Sequence, residues 1–236
     1  MDQRSHRPAV APEPIDADHE PGGLVLVYPL IALAGWVAAL GLVGWHGQFV
    51  PFISGNSATL GTASTIGDGQ GAWEVGRALL CFLLGTIVGE VIGPAARSWR
   101  GPAVVGIEAA LLWLALAFDL GEWGGEAVTV AITGLAMGIQ TAAVHKVDGT
   151  NVAMTYVTGT LVSLGRAVAS ALRGTAPWRK ILPLAGCWLA FVIGAIAGSV
   201  VARIATTDAL AVAAAVASVT ALFSAARVAV RRRRVK

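Results

Sequence analysis

The sequence predicts an all-α membrane protein: six transmembrane helices in two inverted repeats, each half carrying an additional broken or short helical element. Three observations carry this prediction: an apolar composition, an internal repeat, and the distribution of basic residues between the spans. Hydrophobic residues make up 56% of the chain and charged residues only 13%, against about 25% charged in soluble domains. The mean hydropathy is +0.70. Several apolar runs reach about 20 residues, enough to cross a hydrocarbon core of roughly 30 Å.

In chain order, residues 1–23 come first and stand apart. With five acids, four prolines and no apolar pattern, they are expected to form a disordered cytoplasmic tail. The run from Leu24 to Trp45 is longer than the hydrophobic core of about 7–15 residues found in signal peptides, so the first span stays attached. Residues 24–230 form the transmembrane domain, with repeat halves at about 24–120 and 127–230. Hydropathy marks its elements at 24–45, 49–66, 74–96, 103–120, 127–145, 150–172, 180–203 and 208–230. The last residues, 231–236, form a basic cytoplasmic tail, read as a flank that stops translocation and touches anionic lipid.

The repeat rests on two matches. "FISGNSATLG" (52–61) aligns with "YVTGTLVSLG" (156–165), pairing Ser54 with Thr158 and Gly55 with Gly159. "GTIVGEVIG" (85–93) aligns with "GAIAGSVVA" (194–202), pairing Gly85 and Gly89 with Gly194 and Gly198. The Gly-x-x-x-Gly ladders are expected to bring helix backbones together, because lipid gives apolar helices no hydrophobic reason to associate. "ISGNS" and "VTGT" are expected to interrupt their helices, one per half. Such a break in hydrocarbon leaves backbone groups unpaired unless it is buried in protein or lines a wet cavity, and matched breaks point to a transport site. The competing reading is a turn, or a helix whose hydroxyls bond only to their own backbone.

If 49–66 and 150–172 do not cross, the inner connections hold Arg97, Arg100, Lys146, Arg173, Arg179 and Lys180, and the outer ones Arg77 and Arg203. Eight spans, four plus four, is the alternative; it puts only Arg173, Arg179 and Lys180 inside and breaks the positive-inside bias. Six spans place both termini in the cytoplasm of a bacterial cell and invert the second half relative to the first.

"GQFVPFISGNSATLG" together with "AMGIQTAAVHKVDGTNVAMTYVTGTLVSLG" resembles the YoaK-like family of bacterial multi-span membrane proteins, a domain of unknown function, over most of residues 24–230. Ser54-Gly55-Asn56 stands for that family's T-G-N, Gly138-Ile139-Gln140-Thr141 for its G-x-Q-N, and Thr158-Gly159-Thr160 for its T-G-T. Two departures stand out. Family members carry an Asp in the first span where this chain has Gly35-Trp36-Val37-Ala38, and the Asn of G-x-Q-N is Thr141. A proton- or cation-linked role attached to that acid has no residue to rest on here.

The expected solute site joins Ser54, Gly55 and Asn56 to Thr158, Gly159, Thr160 and Gln140, where backbone groups and short hydroxyls replace hydration. Glu90 and Glu108 are ionisable groups inside spans and therefore candidates. A structural ion pair with Arg97 or Arg100 is weighed ahead of proton coupling, for which Glu90 is the candidate. Arg166 is read as snorkelling to headgroups ahead of anion binding, and His46 and His145 as interface residues. Cys81 and Cys187 sit in apolar runs without CxxC spacing and read as small buried residues.

No Walker loop, G-x-S-x-G elbow or HExxH appears, so no enzyme, catalytic residue, metal or cofactor is expected. Nothing resembles a nucleic-acid module. The expected partners are the lipid bilayer and a small polar solute, with a homo-oligomer left open. The expected function is a transporter or channel for that solute; the alternative is a non-transporting membrane scaffold or regulator.

Overall fold

A computed structural model of the chain describes residues 23–45, 47, 50, 51, 53–143, 146, 147, 150, 151 and 157–235; the amino-terminal tail, His46 and His145 lie outside these. Eight helices follow one another among the described residues: α1 (Gly23–Gly44), α2 (Ile53–Ile66), α3 (Gly69–Ala95), α4 (Arg100–Leu120), α5 (Gly125–Gln140), α6 (Val157–Leu172), α7 (Ile181–Ala202) and α8 (Thr206–Val235). One-turn 3-10 segments, Arg97–Trp99 and Trp178–Lys180, lead into α4 and α7. The only departure from an all-helical fold among these residues is a two-residue antiparallel ladder pairing Lys146 with Asn151 and Val147 with Thr150.

Five helices are long and apolar enough to cross a membrane: α1, α3, α4 with its 3-10 lead, α7 and α8. The protein is therefore an α-helical membrane protein. The helices α2, α5 and α6 have 14, 16 and 16 residues, about 21 to 24 Å at 1.5 Å per residue, short of a hydrocarbon core of roughly 30 Å. The fifth element, expected to run from 127 to 145, ends at Gln140, where the backbone tightens: the amides of Thr141 and Ala142 donate to Gly138 and Ile139 at 3.1 and 3.0 Å. The expected basic tail differs in form, because α8 continues through Arg231–Arg233.

The breaks expected within 49–66 and 150–172 are not inside helices. Ser54–Asn56 and Thr158–Thr160 form the first turns of α2 and α6, which then continue without interruption. Along α2, the hydroxyls of Ser57, Thr59, Thr62 and Ser64 donate to the carbonyls four residues back, at 2.7 to 3.1 Å. Each is thus satisfied within its own helix, and the polar stretch folds as a helix at little cost. Gly67, at φ +76°, turns the chain into α3, whose first turn is capped where Gly71 N–H donates to Asp68 Oδ1 at 2.9 Å.

Two helix pairs pack through glycine. On α3, a Cβ at Gly85 would collide with the Leu135 carbonyl of α5, and one at Gly138 of α5 with the Phe82 carbonyl of α3. On α7, a Cβ at Gly194 would collide with the Ala32 carbonyl of α1, and one at Gly35 of α1 with the Phe191 carbonyl of α7. The two ladders thus act as the sequence predicts, bringing backbones into contact. Both pairs run parallel: Gly85 then Gly89 meet Leu135 then Ile139, and Gly194 then Gly198 meet Ala32 then Trp36.

Helix α4 lies antiparallel to α8. Thr207 donates to Asp119 Oδ2 at 2.6 Å at one end and Trp113 Nε1 to Ser218 Oγ at 3.0 Å further in. At the other end Arg232 donates to Ser98 Oγ, with its guanidinium over the Trp99 ring. Trp36 Nε1 ties α1 to α8 through the Ala209 carbonyl at 2.8 Å. The bundle is polar in charge along its axis. Arg97, Arg100 and the arginines closing α8 gather at one end, and Asp119, Glu122, Glu126 and Asp208 at the other.

The core divides into two clusters. One joins the start of α1 (Val27, Leu30, Ile31) to Val104 and Val105 of α4 and Ile139 of α5. The other joins Leu33, Val37 and Leu40 of α1 to Leu112 of α4, Val130 and Met137 of α5 and the alanines of α8. The start of α1 therefore lies beside the end of α5, so these two helices run in opposite directions.

Candidate functional site

The seven residues expected at the site are spread over three helices. In the first turn of α2, Asn56 is buried at 2% exposure, Gly55 is half-buried and Ser54 exposed. In the first turn of α6, Thr158 is exposed while Gly159 and Thr160 are half-buried. A helix start leaves its first amide groups without partners in the helix and carries a partial positive charge. Leu60 of α2 reaches Gly76 of α3, 3.9 Å from where a Cβ would stand. With α2 folded back along α3, Asn56 lies deeper than Leu60, alongside the middle of α3. Val50, ahead of α2, belongs to the same cluster as Ala78 and Phe82, and Ile53, the first residue of α2, packs against it. The α2 helix packs on α3 and α6 on α7, and no comparable interface joins α2 to α6.

Gln140 ends α5 in the interior of the bundle, beside the start of α1. It is fully buried, its Nε2 donates to the Leu30 carbonyl of α1 at 2.7 Å, and its Oε1 has no hydrogen-bond partner. Thr129 and Thr133, also fully buried, share its face at i, i+4 and i+11. Thr133 Oγ1 donates to the Thr129 carbonyl at 2.8 Å. Glu108 of α4 is equally buried, and neither carboxyl oxygen has a partner. An unpaired charge there would cost several kcal/mol even after the protein relaxes, by about the effective penalty per buried ion.

The two glutamates have different surroundings. Glu90 meets Arg100, Nη2 to Oε2 at 3.2 Å, on a partly exposed surface, and Arg100 Nε also donates to the Ala142 carbonyl at 2.9 Å. The ion pair expected for both acids is made by Glu90 and not by Glu108. The residues that sequence reasoning missed are Thr129 and Thr133, legible as a polar stripe at helical spacing with Gln140. The isolation of Glu108 had no local signal. Among the described residues no cluster of three His, Cys, Asp or Glu could hold a metal ion, and Arg166 is exposed near the middle of α6. What the interior offers is a set of neutral or neutralisable acceptors that can take a proton, a cation or a hydrogen-bond donor.

A family model described as a protein of unknown function, DUF1275, matches residues 26–223. A UPF0700 transmembrane protein, RA0705, of Rhizobium meliloti (strain 1021) is 35% identical over 191 residues, which cover 80% of each chain. No solved structure matches the chain. With a family match running from α1 into α8 and a relative aligned over four fifths of either chain, this protein belongs to the YoaK-like DUF1275 family of multi-pass membrane proteins.

Proposed function

We propose that the protein is a transporter or channel, not an enzyme, that passes a small polar solute across the bacterial cytoplasmic membrane through two inverted halves. The observation that carries this reading is an exchange in the packing. Adding 109 to an α3 number and subtracting 103 from an α5 number turns the Gly85–Leu135 contact into Gly194–Ala32; the same shifts turn Phe82–Gly138 into Phe191–Gly35. Helices α3 and α7 thus each lie along the first helix of the other half. Because α1 runs opposite to α5, the axis relating the halves lies in the membrane plane, an arrangement shared by many transporters that expose one site to either side in turn.

On this reading α5 completes a sixth crossing within the protein interior, where a short helix needs no contact with lipid. The basic end, with Arg97, Arg100 and the close of α8, faces the cytoplasm with both termini. The starts of α2 and α6 are equivalent positions in the two halves, and with Asn56, Thr160 and Gln140 they supply donors and acceptors for a solute stripped of water.

Thermal-shift screening of purified protein against sugars, amino acids, nucleosides and amines, followed by uptake of the hits into proteoliposomes, tests the proposal. Asn56→Leu and Gln140→Leu are expected to abolish uptake while remaining folded. Wild-type uptake rates in both variants would sink the site.

A further inference from the structure

Glu108 and Gln140 stand where the core changes hands. On α4, Val104 and Val105 belong to the cluster at the basic end and Ala109 and Leu112 to the other; Glu108 lies between them. On α5 the change falls between Met137 and Ile139, and Gln140 follows it directly. On α1 the change falls between Ile31 and Leu33, next to the Leu30 carbonyl that Gln140 holds. Two apolar plugs therefore meet close to the level of a carboxyl group and an amide oxygen that are each buried without a hydrogen-bond partner.

We propose that Glu108 is a proton-binding site at this junction, loaded and unloaded as one plug or the other loosens, and that the proton is the coupling ion of the transport described above. The coupling rests on that transport reading; the proton site does not. A protonated carboxyl carries an O–H that can serve as a donor, and it removes a charge that nothing nearby neutralises. Arg100, at the start of α4, is engaged by Glu90 and by the Ala142 carbonyl and makes no hydrogen bond to Glu108. Helix α5 has only Glu126, in its first turn, and α8 has Asp208 at its start and Arg227 and Arg231–Arg233 towards its end. Arg97 sits in the 3-10 segment before α4, and α1 brings only the phenol of Tyr28. On α3, Glu90 is held by Arg100; the Arg77 guanidinium leaves Nε and one Nη without a partner, so it does not contact Glu108 either.

The test uses the whole protein in liposomes, with carbon-13 on the glutamate carboxyls, followed by infrared spectroscopy. Glu108 is the single fully buried glutamate among the described residues, so the wild-type spectrum is informative before any substitution is made. A protonated-acid band is expected at neutral pH, lost in Glu108→Gln and kept in Glu90→Gln. In heavy water the band should shift well before the slowest core amides exchange, because only local opening is required. Absence of a Glu108-dependent band would mean an ionised group and overturn the proposal. So would a band that shifts only with the slowest amides, since the acid would then be locked in the fold. Loss of the band when sodium replaces choline would assign the site to a metal cation and overturn the proton. The expected band in a protein that moves no solute would uphold the proton site and remove the transport reading; uptake without the band would do the reverse.

Discussion

The α2 and α5 helices are both too short to cross a membrane alone and both are rich in polar residues, yet their polar groups meet different fates. On α2 the hydroxyls face outward and bond to the carbonyls of their own helix. On α5 the polar face points inward, Gln140 leaves an oxygen unpaired, and the facing α4 adds a carboxyl with no partner at all. Polarity read from sequence therefore marks a place to look, while burial without a partner marks a group whose presence calls for an explanation. A satisfied hydroxyl adds little free energy; an orphaned buried group keeps its desolvation penalty.

The largest expected effect breaks the comparison at its glycines. Gly138→Leu on α5 drives a side chain into the Phe82 carbonyl and should cost about 3 kcal/mol or more, the upper range for overpacking, seen as loss of the monodisperse peak and of thermal stability. Gly61→Leu on α2, where nothing lies within 4 Å, should stay within about 0.5 kcal/mol. Equal damage from both would mean that α2 is covered in the assembled protein.

A smaller effect of opposite sign is expected at Glu108. Replacing a buried unpaired acid by an apolar side chain of similar length removes a penalty, so Glu108→Met should raise stability by about 1 kcal/mol or more while removing the infrared band. Destabilisation would show that the carboxyl is satisfied in the membrane. The smallest effect belongs to the double variant Ser57→Ala with Thr59→Ala, expected within about 0.5 kcal/mol by thermal melting; a large loss would give those hydroxyls a partner beyond their own helix.

Much of the framework was legible. Gly85, Gly89, Gly194 and Gly198 recur at four-residue spacing in apolar runs, and close backbone packing is the physical use of that pattern in lipid. The elements 49–66 and 150–172 were legible as unusual, but the position of the break was not. Glycine and serine are compatible with a first helical turn as well as with an interruption, and hydrogen bonds to the fourth carbonyl back decide between them. Glu90 and Glu108 looked alike because both precede or follow Arg97 and Arg100 at similar distances along the chain. Only the rotation of each helix separates them: one side chain turns to the rim and meets Arg100, the other turns into the core.

Composition and periodicity alone determined that this chain folds as apolar helices in a membrane, which stretches are too polar to run as ordinary spans, and which glycines carry helix contacts. These properties are local, because hydrocarbon requires each segment to satisfy its own backbone and match the bilayer thickness. The tertiary structure decided the partners: α3 along α5, α7 along α1, and a carboxyl on α4 and an amide oxygen on α5 each buried without a hydrogen-bond partner. Pairing between distant segments depends on shape complementarity across the whole bundle, which no window of sequence contains.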